Sequence, residues 1–539
     1  MHRFVRAALL GALVAVGSAA WADVPTLEQR LDAAIAHAAN TLRATATSGM
    51  PTDRYPVTAP AGGAWAEESA GYWVSGLFPG ALWRIGDLTG DGSFHDYAQA
   101  WSAAIGPATQ NIGFTSWPSH KLWFDHTGDA AARQIVIQAA EMRESVFVPL
   151  PDSAGQNVGS RGLFTDPAGW DPNGWEFPAR DWAGQPIDHM MDLQVMFWAA
   201  GETGDGAMYD KSVLHARTVA DLWVRADGSS GHWGYVNRTT GQFVTRQYQG
   251  YQDHTTWARG HSWAIYSLTL TARQTELAGD DATSADFLAD AMRAADFWLG
   301  HQRLPADGVP IWDFDAPLYL PPEFQQRDSS AAAVMASALV DLSALAERPE
   351  DKYRYQQAAG RILESLATPK TEGGYLNVDA WGDPDGSGVL AHGVYVHSYS
   401  AATGNSGEVS KWVEMDHATI WGDYFFLEAV QRYLGALKLS RPGDANEDEA
   451  VNGGDYTIWA DNFDFEPAVP WSDGGWAVGN FNEDSLVDGG DYTIWSDNYG
   501  STGLAAGGAG TGGASIPEPV TAALLSLAAA ALTYPRRRR

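Results

Sequence analysis

Apolar residues recur at three- and four-residue spacing in six stretches of the chain: 27–46, 96–106, 131–147, 286–302, 330–347 and 419–438. That period places them on one face of an α-helix, so each stretch predicts an amphipathic helix. A second mark recurs. Leu82-Trp83 leads to Thr89-Gly90-Asp91, Leu122-Trp123 to Thr127-Gly128-Asp129, and Phe197-Trp198 to Thr203-Gly204-Asp205. Each time an apolar helix end runs into a glycine turn and a new helical pattern begins soon after, which predicts a repeated helical hairpin. Such hairpins either stack as a solenoid or close into a ring. No strict period is kept, which favours the ring: an all-α fold of the α/α barrel type.

The pattern changes near Arg441. GDANEDEAVNGGDYTIWADNF and GNFNEDSLVDGGDYTIWSDNY match at an offset of 36 residues. In the first copy Asp444, Asn446, Asp448, Asn452 and Asp455 fall at positions 1, 3, 5, 9 and 12 of a twelve-residue loop. Asn480, Asn482, Asp484, Asp488 and Asp491 do so in the second. Alternating oxygen side chains around a tight turn, followed by a helix, make an EF-hand-like site for a hard cation, with Asp in place of the usual Glu at position 12. The pair resembles a type I dockerin repeat pair. That resemblance implies calcium as the ligand and a cohesin-like protein as the partner.

Residues 1–22 read as a signal peptide: Arg3 and Arg6, an apolar run from Ala7 to Val16, then Ala20-Trp21-Ala22. An exported protein is expected, secreted or associated with the cell envelope. The main domain then spans 23–440, the repeats 441–501, and a Gly/Ala-rich linker 502–515. The segment 516–539 carries Pro517-Glu518-Pro519, an apolar stretch and four terminal arginines. It resembles a PEP-CTERM sorting signal, membrane-associated before processing. Its apolar stretch is short for a stable span.

Composition narrows the partners. The formal net charge is −32, which repels nucleic acid and anionic membrane. With no cysteine, disulfides, thiolate metal sites and cysteine nucleophiles are excluded. The 24 tryptophans exceed what core packing asks for and suit a sugar-binding cleft. Two segments concentrate the chemistry. Asp188 starts the apolar run of 186–205, and Arg259 lies among Trp257, Trp263, His254 and His261 in 248–266. By itself Asp188 equally suits a helix cap, His232 a structural histidine, and the tryptophans a core.

GYWVSGLFPGALW, IDHMMDLQVMFWAA, QGYQDHTTWARGHSWAIY, IWDFDAP, RDSSAAA, AHGVY and TIWGDYFFLEA, in that order between about Trp65 and Gly435, resemble the unsaturated glucuronyl hydrolases, glycoside hydrolase family 88. The resemblance implies an (α/α)6 barrel that needs no catalytic cofactor. It implies removal of a terminal 4,5-unsaturated uronic acid from lyase-generated oligosaccharides by hydration of the C4=C5 bond. Asp188 matches the general acid/base of the family. Arg259, a bidentate partner for a carboxylate, together with Gln249 and His232 matches substrate positions, and Trp73 and Trp257 match aromatic positions of the cleft. One departure stands out. The family usually has His-Asp-x-Gly-Phe where this chain has Gln110-Asn111-Ile112-Gly113-Phe114. Asn111 thus replaces a second acidic residue. It can bond sugar hydroxyls but brings no charge, and losing a negative neighbour lowers the pKa expected for Asp188. Asp87 and Asp125 are the acidic residues nearby in sequence. Two other readings stay open: an unsaturated rhamnogalacturonyl hydrolase, and a non-catalytic carbohydrate-binding protein on the same scaffold.

Overall fold

The three Thr-Gly-Asp marks are helix stops joined to helix starts. Gly90, Gly128 and Gly204 sit at φ 68°, 69° and 71° as left-handed caps, a conformation costly for residues with a Cβ. The threonine hydroxyls before them donate back to the carbonyls of Ile85, Trp123 and Ala199 at 2.6, 2.8 and 2.7 Å. Asp129 and Asp205 then accept from the first amides of the following helices at 2.8 and 3.0 Å, satisfying donors that a helix start leaves open.

The structure is a computed structural model. It describes residues 25–166, 180–317, 325–380, 383–384, 387–396, 414–439, 443, 445–446, 450–463, 479, 481 and 486–500. The helices run α1 (Leu27–Ala46), α2 (Leu77–Thr89), α3 (Ser93–Ser102), α4 (Ile112–Thr115), α5 (Leu122–Thr127), α6 (Ala130–Glu144) and α7 (Leu193–Thr203). Then come α8 (Gly206–Trp223), α9 (Ala258–Leu277), α10 (Asp281–Gly300), α11 (Ser329–Leu345), α12 (Pro349–Ala367) and α13 (Ile420–Leu439). They alternate between two layers. The outer helices α1, α3, α6, α8, α10 and α12 each lead into an inner one: α2, the 112–127 segment with α4 and α5, α7, α9, α11 and α13. Two inner helices bury all sides, α9 without a break from Ala258 to Thr269 and α11 from Ser329 to Val340. α1 packs on both α2 and α12, which closes the ring.

Glu428 of α13 ties the inner helices together. Its carboxylate pairs with Arg84 of α2 and with Arg432 at 3.0 Å, and accepts from Tyr266 of α9 and Ser337 of α11 at 2.8 Å each. Burial pushes its pKa up, but Arg432 and Arg84 outweigh that and hold it at about 2.

The helical expectation holds for the two layers, but the connections between them also carry strands. Five small antiparallel sheets lie among the described residues, made of strands two to six residues long. Runs so short carry no usable period. They form where long connections between outer and inner helices fold back on themselves or meet a neighbouring connection, as 182–186 meets 233–237 and 417–419 meets 58–60. Of the inner helices, α2, α5 and α7 end at the Thr-Gly-Asp turns.

Contacts divide the chain into two compact units, Met1–Tyr433 and Leu434–Arg539; the division falls within α13. In the second unit the duplicated segments form α14 (Gly453–Asp461) and α15 (Gly489–Asn498). Asn452 and Asp488 cap them through Gly454 and Gly490, each at 2.7 Å. The copies interlock reciprocally: Trp459 Nε1 donates to the Asp488 carbonyl and Trp495 Nε1 to the Asn452 carbonyl, both at 2.9 Å. Asp455 accepts from the amides of Ala445 (2.8 Å), Asn446 (3.2 Å) and Asn452 (2.7 Å). Asp491 accepts from Phe481 (2.6 Å) and Asp488 (2.8 Å). The expected ligands Asp444, Asp448, Asn480, Asn482 and Asp484 lie outside the described residues, as do the signal peptide, the linker and the sorting tail.

Candidate functional site

Two stretches of backbone bring the site together. Strand Trp182–Pro186 pairs antiparallel with Trp233–Asn237, with Pro186 opposite Trp233. At Pro186 it turns into a 3₁₀ segment, Ile187–Asp192, that leads into α7. The Ile187 amide donates to the His232 carbonyl at 2.8 Å, so Asp188 starts beside His232. From the other side comes the segment before α4. Gly113 packs so closely that a Cβ there would lie 2.2 Å from the Met191 carbonyl oxygen. Its amide donates to Asp192 Oδ1 at 2.9 Å and its carbonyl accepts from Gln194 at 3.1 Å. Asn111 caps α4 at φ 58°, a left-handed conformation that Asn tolerates better than most residues.

Asn111, Asp188, His232, Gln249 and Trp73 all line one cavity of about 420 Å³, a size suited to a small ligand. Trp73 is held by Phe114 edge-on (5.4 Å) and by Trp421 (5.3 Å), and its Nε1 donates to Tyr395 Oη at 3.1 Å. Tyr395 Oη in turn meets Tyr72 Oη at 3.0 Å. The cavity therefore has aromatic walls with phenolic hydroxyls at their rim.

Asp188 caps no helix. Its side chain is 13% exposed, and Oδ1 is buried with no hydrogen-bond partner. Burial pushes its carboxyl up to about 6, against the downward pull of His189 and Arg259. His232 Nδ1 accepts from the amides of Tyr248 and Gln249 at 3.3 Å each. The ring hydrogen is therefore on Nε2, which faces Asp188 Oδ1 at 3.9 Å. Burial, and then Arg259, bring the His232 pKa down to about 3, so the ring is a neutral donor. The site thus pairs a carboxyl that holds a proton in mildly acidic solution with a fixed N–H donor.

Two expected roles need correction. Arg259 does not reach the cavity wall. Its side chain is 1% exposed and pairs with Asp328, the cap of α11, at 3.1 Å. It also donates to the carbonyls of Val394 and Tyr395 and to Gln249 Oε1. Both terminal nitrogens are thus committed, and neither is left to clamp a ligand carboxylate. Because Arg259 only donates, Gln249 must present its oxygen to it. The amide N–H groups of Gln249 are left for the cavity, so the cation sits one residue behind a neutral donor. Trp257 is also buried, 2% exposed. Its ring lies 4.5 Å from the His232 ring and under the Arg259 guanidinium at 4.5 Å. It supports the site from behind and offers no free face to a sugar.

Asp166 was missed from the sequence and lines the same cavity. Its Oδ1 lies 2.7 Å from His189 Nδ1, and its charge pushes the Asp188 pKa up. No spacing links it to Asp188. The link is tertiary: the Asp166 amide donates to the Gly184 carbonyl at 3.0 Å, and Gly184 belongs to the strand that leads to Asp188. Beneath them Arg143 and Asp192 form a buried pair at 3.0 Å. The two acidic residues nearer Asn111 in sequence go elsewhere. Asp125 pairs with Lys121, and Asp87 lies near the far end of α2.

An unsaturated glucuronyl hydrolase from Formosa agariphila is 30% identical over 369 residues, covering 67% of this chain and 79% of the relative. The chain belongs to the unsaturated glucuronyl hydrolases. It is therefore an enzyme of the glycoside hydrolase class, with the likeness confined to the N-terminal ~70% of the chain. An unsaturated chondroitin disaccharide hydrolase from Streptococcus pyogenes serotype M1 is 29% identical over 366 residues, covering 67% of this chain and 81% of the relative. The crystal structure of the Bacillus sp. GL1 unsaturated glucuronyl hydrolase, described as responsible for the degradation of glycosaminoglycan, aligns with TM-score 0.59 and 27% identity. It covers 77% of this chain and 97% of that one. No family model matches the chain. These structural neighbours are helical-barrel enzymes, in agreement with the two-layered ring.

Proposed function

We propose that the barrel removes a terminal 4,5-unsaturated glucuronic acid from oligosaccharides left by polysaccharide lyases. The observation that carries this is Asp188: a carboxyl with its pKa raised to about 6 and an unpartnered oxygen, in a cavity walled by Trp73 and tyrosines. Protonated Asp188 delivers its proton to C4 of the enol ether, which leaves positive charge at C5 and its ring oxygen. Water attacks C5 and gives its proton to the Asp188 carboxylate, restoring the acid. The hemiketal formed then opens and releases the remaining sugar. One carboxyl serves both transfers, unlike ordinary glycosidases with two carboxylates about the anomeric carbon. Asn111 holds sugar hydroxyls, and Gln249 and the neutral His232 supply donors. Asp166 is the second acidic group of the cavity in place of the residue that Asn111 replaces. The chondroitin disaccharide named for the Streptococcus relative and the glycosaminoglycan degradation named for the Bacillus structure favour glycosaminoglycan-derived substrates.

The repeats we assign to calcium binding and to docking on a cohesin-like protein. Asp455 fits that role, since its Oδ2 holds only the Asn452 amide and keeps a second lone pair for a cation; Asp491 occupies the same position in the second copy. Export by the signal peptide, and sorting by the tail, complete the proposal.

The test follows the ultraviolet absorbance of the enol ether, which disappears on hydration, over a panel of unsaturated disaccharides. Decay that vanishes in Asp188→Asn supports the reading. Tight binding of the same sugars without any decay overturns it in favour of the non-catalytic one. Calcium titration of the full chain, compared with Asp455→Asn, checks the repeats separately.

A further inference from the structure

At the end of the barrel away from the cavity, Asp87 of α2, His95 of α3 and His126 of α5 turn their side chains toward one point. His95 Nε2 and His126 Nε2 lie 3.1 and 2.8 Å from Asp87 Oδ1, and all three candidate ligand atoms are within 4.8 Å of one another. Four further observations show that the cluster is built. His126 Nδ1 is 2.7 Å from the Leu122 carbonyl, which only accepts, so Nδ1 carries a hydrogen. In the neutral ring the lone pair of Nε2 therefore faces a carboxylate oxygen, two acceptors against each other, unless a cation lies between them. Gly86 makes room for His95: a Cβ there would sit 2.5 Å from both Cδ2 and Nε2 of the ring. Gln431 donates to the other carboxylate oxygen, Oδ2, at 3.2 Å, leaving Oδ1 to the histidines. Trp83 packs on both imidazoles, at 5.1 and 4.7 Å.

We propose that Asp87, His95 and His126 bind a divalent transition-metal ion, with Zn²⁺ the reference ion, as a clamp on the ends of α2, α3 and α5. Two imidazoles and one carboxylate suit zinc, nickel or cobalt better than calcium or magnesium. Ligands about 2.0–2.1 Å from a tetrahedral ion stand roughly 3.3 Å apart, so the cluster needs only a slight opening. All three side chains are solvent-accessible, which gives the ion a path in, and water completes its shell. The ion takes no part in hydration, because the cavity residues lie at the opposite ends of the inner helices.

The full chain, stripped of metal and then held in excess calcium to fill the acidic repeats, is titrated with Zn²⁺ by calorimetry and with Co²⁺ by its visible absorbance. One ion per chain is expected, with the cobalt spectrum of mixed nitrogen and oxygen ligation and a rise in the unfolding temperature. His126→Gln and Gly86→Ala should each weaken binding about tenfold or more, while hydration by His126→Gln stays at the wild-type rate and shows that it is folded. Wild-type protein that takes up no Zn²⁺, or His126→Gln that binds it equally well, overturns the proposal. A doubly protonated His126 paired with Asp87 would then account for the geometry.

Discussion

Replacing Asp188 with Asn should cut turnover sharply and at the same time stabilise the protein, but only where the wild-type carboxyl is ionised. Unfolded, the group has the ordinary value of 3.8; folded, burial raises it to about 6. The folded state therefore holds this proton longer. The stability associated with it is fully present below pH 3.8 and is lost as pH rises through about 6. Above that, the folded chain carries a buried carboxylate at a cost of about 3 kcal/mol. Asn has no proton to lose and escapes the cost. In a catalytic unit of roughly 400 residues, about 3 kcal/mol corresponds to a Tm rise of roughly 3–4 °C. Differential scanning calorimetry of both proteins at about pH 4 and about pH 8 reads it: no difference at the first, the full rise at the second. Hydration should fall by about 10²–10⁴-fold, the usual contribution of a positioned acid. A Tm difference that is the same at both pH values would refute the reasoning, because the effect would then come from packing and not from a buried charge.

Three further outcomes follow from the same geometry. Asp166→Asn removes a negative charge that raises the Asp188 pKa, so the alkaline limb of the pH–rate profile, near pH 6 in the wild type, should move to lower pH; an unmoved limb separates Asp166 from the reacting proton. Asn111→Asp adds a carboxylate to the cavity and should move that limb to higher pH, read by the same profile on a good substrate. Glu428→Gln leaves Arg84 and Arg432 facing each other within the barrel and should cost about 3–5 kcal/mol, measured by urea unfolding; a loss below about 1 kcal/mol would show that the pair is screened.

The outer helices α1, α3, α6 and α10 were legible because each has one wet face and its apolar residues keep the helical period; α11 and α13 were picked out too, although they are inner, whereas α8 and α12 were not. α9 was not among the stretches picked out by period. It buries Arg259, His261, Ser262, Ser267 and Thr269, polar residues that erase any apolar stripe, and only its motif residues made it visible. The Thr-Gly-Asp turns were legible because their chemistry is local. The cavity was partly so. Asn111, Asp188, His232, Gln249 and Trp73 all line it, yet nothing in their spacing says that segments so far apart converge. What the residue type of Arg259 could not reveal is its partner Asp328, some seventy residues on, which turns a presumed ligand clamp into a buried support. Asp166 was hidden for the matching reason: its neighbour is chosen by strand pairing.

The direction of the inner helices has an electrostatic outcome. α2, α7, α9, α11 and α13 all start around the cavity and run toward the far turns. Each brings the positive end of its peptide dipoles, equivalent to about half an elementary charge, to the rim of one small space. The enzyme as a whole carries a formal net charge of −32 and repels a uronate approaching from bulk water. Within a Debye length of the mouth, roughly 8–10 Å in physiological salt, the convergent dipoles work against that repulsion. The barrel thus acts as a weak lens for anions, built from backbone alone, and surface charge can change during evolution while the focus at the cavity stays in place.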